Sequence, residues 1–109
     1  MTRQNRNSQP HDEVVAEMLR EDPAFRVALV QEVLSNGDQA DMLILLRQLA
    51  AAEGGMKVIA ERTGLNETAL YRVMSPEGNP ALRTFTTLLD SLGLRLSVVA
   101  KQDGQPLAT

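Results

Sequence analysis

The stretch Met56-Lys57-Val58-Ile59-Ala60-Glu61-Arg62-Thr63-Gly64-Leu65-Asn66-Glu67-Thr68-Ala69-Leu70-Tyr71-Arg72-Val73-Met74 decides how this chain is read. Apolar residues recur at helical spacing on both sides of Thr63-Gly64-Leu65, which predicts two short helices, 56–62 and 66–74, joined by a tight turn. Helices that cross closely need a small residue in the first and a residue tolerant of positive φ in the turn. Ala60 and Gly64, four residues apart, meet those needs, and Leu65 follows to plug the corner. Ile59, Leu70 and Val73 stand where each helix must face a shared core. With Met56 they form a fairly specific helix-turn-helix pattern over 56–74. Thr63 departs from it, because the position before the turn glycine is usually apolar in this motif.

The second helix has Asn66 as its N-cap and points Leu70, Val73 and Met74 inward. Glu67, Thr68, Tyr71, Arg72 and Ser75 then share its outer side. A recognition helix reads base edges in the major groove from such a side. Arg72 can donate to guanine O6 and N7, Thr68 can bond a base or touch a thymine methyl, and Glu67 can accept from cytosine N4. Base contacts are therefore expected from Glu67, Thr68, Tyr71 and Arg72. Phosphate contacts, which set register and most of the affinity, are expected from Lys57, Arg62, Ser75, Asn79, Arg83 and Thr84. The opposing consideration is that any amphipathic helix has a solvated face, and Glu67 beside a phosphate is unfavourable.

Outward from this stretch the chain reads as more helix. Residues 1–10 are polar and aperiodic, and read as a disordered tail; residues 11–100 read as the helix-turn-helix domain and 101–109 as a loose tail. Val14, Val15, Met18 and Leu19 fall at helical spacing. Asp22-Pro23 starts a second helix with Phe25, Leu29 and Val33 on one stripe, ending at Asn36-Gly37. Asp38 caps a helix running to about Glu53 that is apolar almost all round and should lie centrally, and Gly54-Gly55 breaks it. Ser75 to Asn79 is a loop. Asn79-Pro80 starts the last helix, with Leu82, Phe85, Leu88, Leu89 and Leu92 inward and Gly93 closing it. Leu94 to Ala100 alternates, which reads as one C-terminal strand with Leu94, Leu96 and Val98 on one face. The expected fold is all-α, a phage-repressor-like bundle of five to six helices with that single strand. A lone strand cannot make a sheet, so it is expected to pair with its copy across a two-fold axis and make a homodimer. The competing reading is extended chain lying over its own subunit.

The composition agrees. A chain of 109 residues has room for one modest core, and its only aromatics are Phe25, Tyr71 and Phe85, so Leu, Val, Ile, Met and Ala must fill that core. The net charge of −3 does not advertise nucleic acid. Locally, Lys57, Arg62, Arg72 and Arg83 slightly outweigh Glu61, Glu67 and Glu77, whereas Asp12 to Glu32 is acidic. There is no cysteine, so disulfides and thiolate metal sites are excluded and a cytoplasmic home is expected. No apolar run approaches a membrane span or follows the basic N-terminus as in a signal peptide. The single histidine, His11, lies beside the N-terminal tail. No catalytic triad, metal cluster or phosphate-cradling loop can be assembled, so neither enzyme, metal nor cofactor is expected.

The runs Gly54-Gly55-Met56, Ala60-Glu61-Arg62-Thr63-Gly64-Leu65, Leu70-Tyr71-Arg72, Ser75-Pro76-Glu77-Gly78-Asn79-Pro80 and Leu92-Gly93-Leu94-Arg95-Leu96 together resemble the addiction-module antidote family. These are HigA-like antitoxins with an Xre-type helix-turn-helix. Asp22-Pro23-Ala24-Phe25 and Asn36-Gly37-Asp38 fit as well, so the resemblance spans about Asp22 to Val98, with the Ser75–Pro80 loop its most distinctive part. It implies an antitoxin that binds a small RelE/ParE-like toxin and double-stranded DNA and represses its own operon. Two alternatives stay open: a toxin-neutralising interaction module without DNA binding, in which the acidic helices wrap a basic toxin, and a stand-alone phage-type repressor.

Overall fold

The starts of three helices, those capped by Asp22, Asp38 and Asn66, are set by side chains that occupy free backbone amides. In the computed structural model, which describes residues 14–101, α1 covers positions 14–21. Asp22 then accepts from the amide of Phe25 at 3.1 Å, and Pro23 opens α2 (Pro23–Asn36), where its missing N–H leaves nothing unpaired. Asp38 and Asp41 form a reciprocal capping box at the start of α3 (Gln39–Ala52). After Gly54-Gly55 come α4 (Met56–Thr63), α5 (Glu67–Val73) and α6 (Leu82–Ser91). The described residues hold these six helices and no strand. No helix among them is long and apolar enough to cross a membrane.

The core is almost wholly aliphatic. Leu19 of α1, Leu43, Leu46 and Leu49 of α3, Ile59 of α4, Leu70 and Met74 at α5, and Leu88, Leu89 and Leu92 at α6 are sealed from solvent. Each such side chain contributes about 1.5–3 kcal/mol relative to exposure. Helix α4 is the hub: it packs against α3, α5 and α6, while α2 packs against α3.

Several expectations need correction. Leu94 to Ala100 is extended but is no strand, because among the described residues it has no ladder partner; beyond the amide of Leu94, which bonds the Leu89 carbonyl at 2.8 Å, its backbone makes no hydrogen bond to another described backbone group. Nor do Leu94, Leu96 and Val98 share an inward face. Leu94 packs on the core, Leu96 is half out and Val98 is 94% exposed, so the segment leaves the body of the protein as it proceeds. The last helix begins at Leu82, not at Asn79-Pro80. Ala81, and not Asn79, is the residue with N-cap backbone, extended at φ −62° and ψ 158°, so the helical conformation begins one residue after it. Leu82, expected inward, is exposed. So are Val14 and Met18 of α1, Ile44 of the otherwise well-buried α3, and much of α2, where only Val30 is fully covered and Phe25, Leu29 and Val33 are half-buried. The expected N-terminal tail, His11 and all of the C-terminal tail past Lys101 lie outside the described residues.

Candidate nucleic-acid interface

The corner between α4 and α5 is built from three adjacent residues. Gly64 takes φ 76°, ψ 5°, the left-handed conformation that L side chains resist, and its amide closes α4 on the Ala60 carbonyl at 2.9 Å. A side chain at Gly64 would meet nothing within 4 Å, so the glycine is required by conformation and not by crowding. Thr63, the residue that departs from the usual pattern, uses its hydroxyl on both sides: it donates to the Ile59 carbonyl at 2.8 Å and accepts from the Leu65 amide at 3.1 Å. A polar residue at a normally apolar position thereby occupies the Leu65 amide, which has no backbone partner among the described residues, while its own hydroxyl hydrogen is held on the helix one turn back. Leu65 and Ala60 are half-buried against the core, and Ile59 is sealed.

Helix α5 is short and is fixed at both ends. Asn66 accepts from the Ala69 amide at 3.1 Å. Glu67 lies in the first turn and Arg72 in the last, each favourable to the helix dipole. Leu70 and Met74 are sealed and Val73 is half-buried, which leaves Glu67, Thr68, Tyr71 and Arg72 on the exposed side; Tyr71 is 55% exposed. Behind this helix the Ser75–Asn79 loop folds back tightly. A Cβ at Gly78 would come within 1.8 Å of the Val73 carbonyl oxygen, so only glycine fits. The Gly78 carbonyl accepts from Gln39 Nε2 at 2.6 Å, tying the loop to the start of α3.

The residues expected around this helix are not equivalent. Lys57 and Arg83 are exposed and, among the described residues, form no ion pair. Asn79 is exposed near Gln39, at 3.4 Å. Ser75 is half-buried with its hydroxyl on the Arg72 carbonyl, and Thr84 is half-buried at the start of α6. Arg62 is occupied: its Nη1 donates to Glu53 at 2.5 Å and to the Ser91 carbonyl at 2.9 Å.

That contact is one edge of a junction that pattern reading of the sequence did not find. Glu53 also pairs with Arg26 at 2.8 Å. Arg26 in turn donates to the Leu19 carbonyl from two nitrogens and to the Leu92 carbonyl at 2.8 Å, while Arg20 reaches the Ala52 carbonyl at 3.1 Å. Three arginines thus cover carbonyls at the C-terminal ends of α1, α3 and α6, where cations are favoured. The Arg62 hydrogen bond, then that of Arg26, holds Glu53 below its ordinary carboxylate value against the opposing effect of burial. The available signal was an arginine set within the apolar run Phe25 to Val30.

Charge also divides along the chain. Residues 14–53 hold Glu17, Glu21, Asp22, Glu32, Asp38, Asp41 and Glu53 against Arg20, Arg26 and Arg47. Residues 54–101 hold Lys57, Arg62, Arg72, Arg83, Arg95 and Lys101 against Glu61, Glu67, Glu77 and Asp90. Among the described residues no cluster of three or more His, Cys, Asp or Glu is placed to hold a metal ion.

A family model described as "probable addiction module antidote protein" matches residues 10–100. No curated protein and no solved structure matches the chain.

Proposed function

The chain belongs to the family of probable addiction module antidote proteins, and from that membership we propose that it is the antitoxin of a toxin–antitoxin pair, an Xre-type, HigA-like repressor that binds operator DNA as a homodimer and silences its own operon. One observation carries the DNA half of this reading: the left-handed turn at Gly64 sets α5 against α4 so that Leu70 and Met74 are sealed while Glu67, Thr68, Tyr71 and Arg72 face outward. This is the arrangement a recognition helix needs to enter a major groove. Arg72 is the principal base reader, through the paired acceptors of guanine; Thr68 and Tyr71 complete the reading face, and Glu67 selects cytosine while disfavouring a close phosphate.

Lys57, Asn79 and Arg83 are the phosphate contacts best supported, being exposed and, for the two cations, free of ion pairs among the described residues. Thr84 and Ser75 would contribute less. Arg62 acts first as a positioning residue, because its guanidinium already spans Glu53 and the end of α6. The toxin half of the reading rests on family membership, and the acidic balance of residues 14–53 suits a small basic partner of the RelE/ParE kind.

The test is a titration of the chain against its own promoter fragment at several salt concentrations. Binding should weaken with a log–log slope of about −0.9 per phosphate neutralised. Arg72→Ala should weaken specific binding by about 1–3 kcal/mol and leave toxin neutralisation intact. Binding that is absent, or flat with salt, would leave an interaction module and remove the repressor.

A further inference from the structure

The loop after α5 carries Asn79, yet the loop's own backbone bonds stop one residue short of it. The Ser75 amide bonds the Arg72 carbonyl at 3.2 Å, and the Gly78 amide bonds the Ser75 carbonyl at 2.8 Å. From Asn79 to Thr84 no backbone amide has a backbone partner among the described residues, and Pro80 has none to offer. Gly78 is buried, and its carbonyl accepts from no backbone amide among them either. A buried carbonyl needs a partner. That partner is Gln39 Nε2 at 2.6 Å, from the first residue of α3 and 39 positions earlier in the chain.

This bond fixes which way round two side-chain amides stand. A carbonyl only accepts, so Gln39 must turn its nitrogen toward Gly78. The same nitrogen lies 3.4 Å from Asn79 Oδ1. A group that only donates can be met there only by an acceptor, so Asn79 turns its oxygen toward Gln39. Its Nδ2 stands at the other corner of the planar amide, on an exposed residue, and makes no hydrogen bond among the described residues. Phosphate oxygens accept, so an asparagine serves a phosphate only with this end outward. Lys57 and Arg83 differ in kind, since they carry charge in any orientation. A neutral amide is useful in one orientation and adverse in the other.

We propose that Gln39 is a positioning residue for DNA binding: one nitrogen, held between the Gly78 carbonyl and Asn79 Oδ1, turns the Asn79 Nδ2 donors outward onto a backbone phosphate. The inference rests on the DNA half of the reading above. It gives α3, which lies outside the two helices of the candidate interface, a part in that interface. Gln39 does not touch the phosphate in this arrangement and acts only through Asn79.

The test titrates the full chain against its own promoter fragment and a random-sequence duplex of equal length, at several salt concentrations. Asn79→Ala and Gln39→Met should each weaken binding to both duplexes about tenfold, because a phosphate contact carries no sequence information. The salt slope should stay as in wild type, since a neutral amide releases no counterion. Asn79→Asp keeps an oxygen toward Gln39 but sets a second one outward, and should bind DNA more weakly than Asn79→Ala. In the Asn79→Ala background, Gln39→Met should cost nothing further on DNA, whereas its cost in urea unfolding, from the lost Gly78 bond, should be the same in both backgrounds. Additive losses on DNA would overturn the proposal, because Gln39 would then act through the loop as a whole. So would wild-type affinity in Gln39→Met, or an Asn79→Asp no weaker than Asn79→Ala. A wild-type chain that binds neither duplex would remove the DNA reading underneath, a failure visible before any variant is made.

Discussion

The two corners that flank α4 both turn on glycines at positive φ but differ in what holds them beyond the turn. At Gly64 the turn between α4 and α5 is closed within a few residues, by one left-handed glycine, one threonine hydroxyl and one asparagine cap, with no ion pair. At Glu53 the turn between α3 and α4 also has a local closure, with Gly54 and Gly55 at positive φ and the Gly55 amide on the Ala50 carbonyl at 2.8 Å, but it is braced in addition by residues from distant parts of the chain: Arg26, Arg62, and the carbonyls of Leu19, Ser91 and Leu92. A corner of the first kind is specified by local sequence and is indifferent to pH. The bracing that distinguishes the second exists only once the helices have assembled, and it depends on a carboxylate staying charged.

The most direct way to break the contrast is Arg26→Met, which keeps an apolar stem and removes the guanidinium. Arg26 is largely buried and serves Glu53 and two helix-end carbonyls at once. Its loss leaves a partly buried carboxylate and orphaned acceptors, for an expected destabilisation of about 3 kcal/mol in urea unfolding. Gly64→Ala is the matching lesion at the other corner. It meets no steric obstacle but must hold φ near 76°, and it should cost about 1–2 kcal/mol. If Gly64→Ala proves the costlier, the ionic corner is ornamental and the contrast fails.

Acid separates the corners without mutation. Glu53 is depressed in the folded state, so the unfolded chain binds more protons as pH falls. Its contribution is complete above the ordinary Glu value, about 4.3, and is lost as pH drops through the lower folded value. Wild-type stability should therefore decline on acidification more steeply than that of Glu53→Gln, the two curves converging at low pH. Parallel curves would mean that Glu53 adds no pH-dependent stability. Thr63→Val, at the other corner, should cost about 1 kcal/mol by freeing the Leu65 amide, equally at both ends of that pH range.

The same division explains what could be read from the sequence. Asp22-Pro23, Asp38 and the Gly64 turn were legible because a cap or a left-handed residue acts within three or four positions of itself. Arg26 was not, because its bond to Leu92 spans 66 residues and no periodicity marks it. Gly78 could be read as a loop residue, but its crowding against Val73 is a property of the folded backbone. Val98 was misread for a related reason. Alternation marks an inward face only where there is something to face, and within one copy nothing covers that part of the segment. Of the candidate site, the exposed side of α5 followed from helical spacing, whereas the diversion of Arg62 to Glu53 required the junction that spacing cannot reveal.

The smallest expected effect on stability is the most informative about function. Arg72 is exposed, forms no ion pair among the described residues, and lends α5 only a favourable charge at its C-terminal end, so Arg72→Ala should change unfolding stability by no more than about 0.5 kcal/mol. Arg72→Lys should change it less still, because the charge remains. The two variants part company on DNA. A lysine keeps the electrostatic attraction but lacks the planar fork that matches guanine O6 and N7, so it should retain the salt-dependent, non-specific component and lose discrimination for the operator. A lysine variant that still prefers its operator by the wild-type margin would make Arg72 a phosphate contact, and would move the reading of bases to Thr68 and Tyr71.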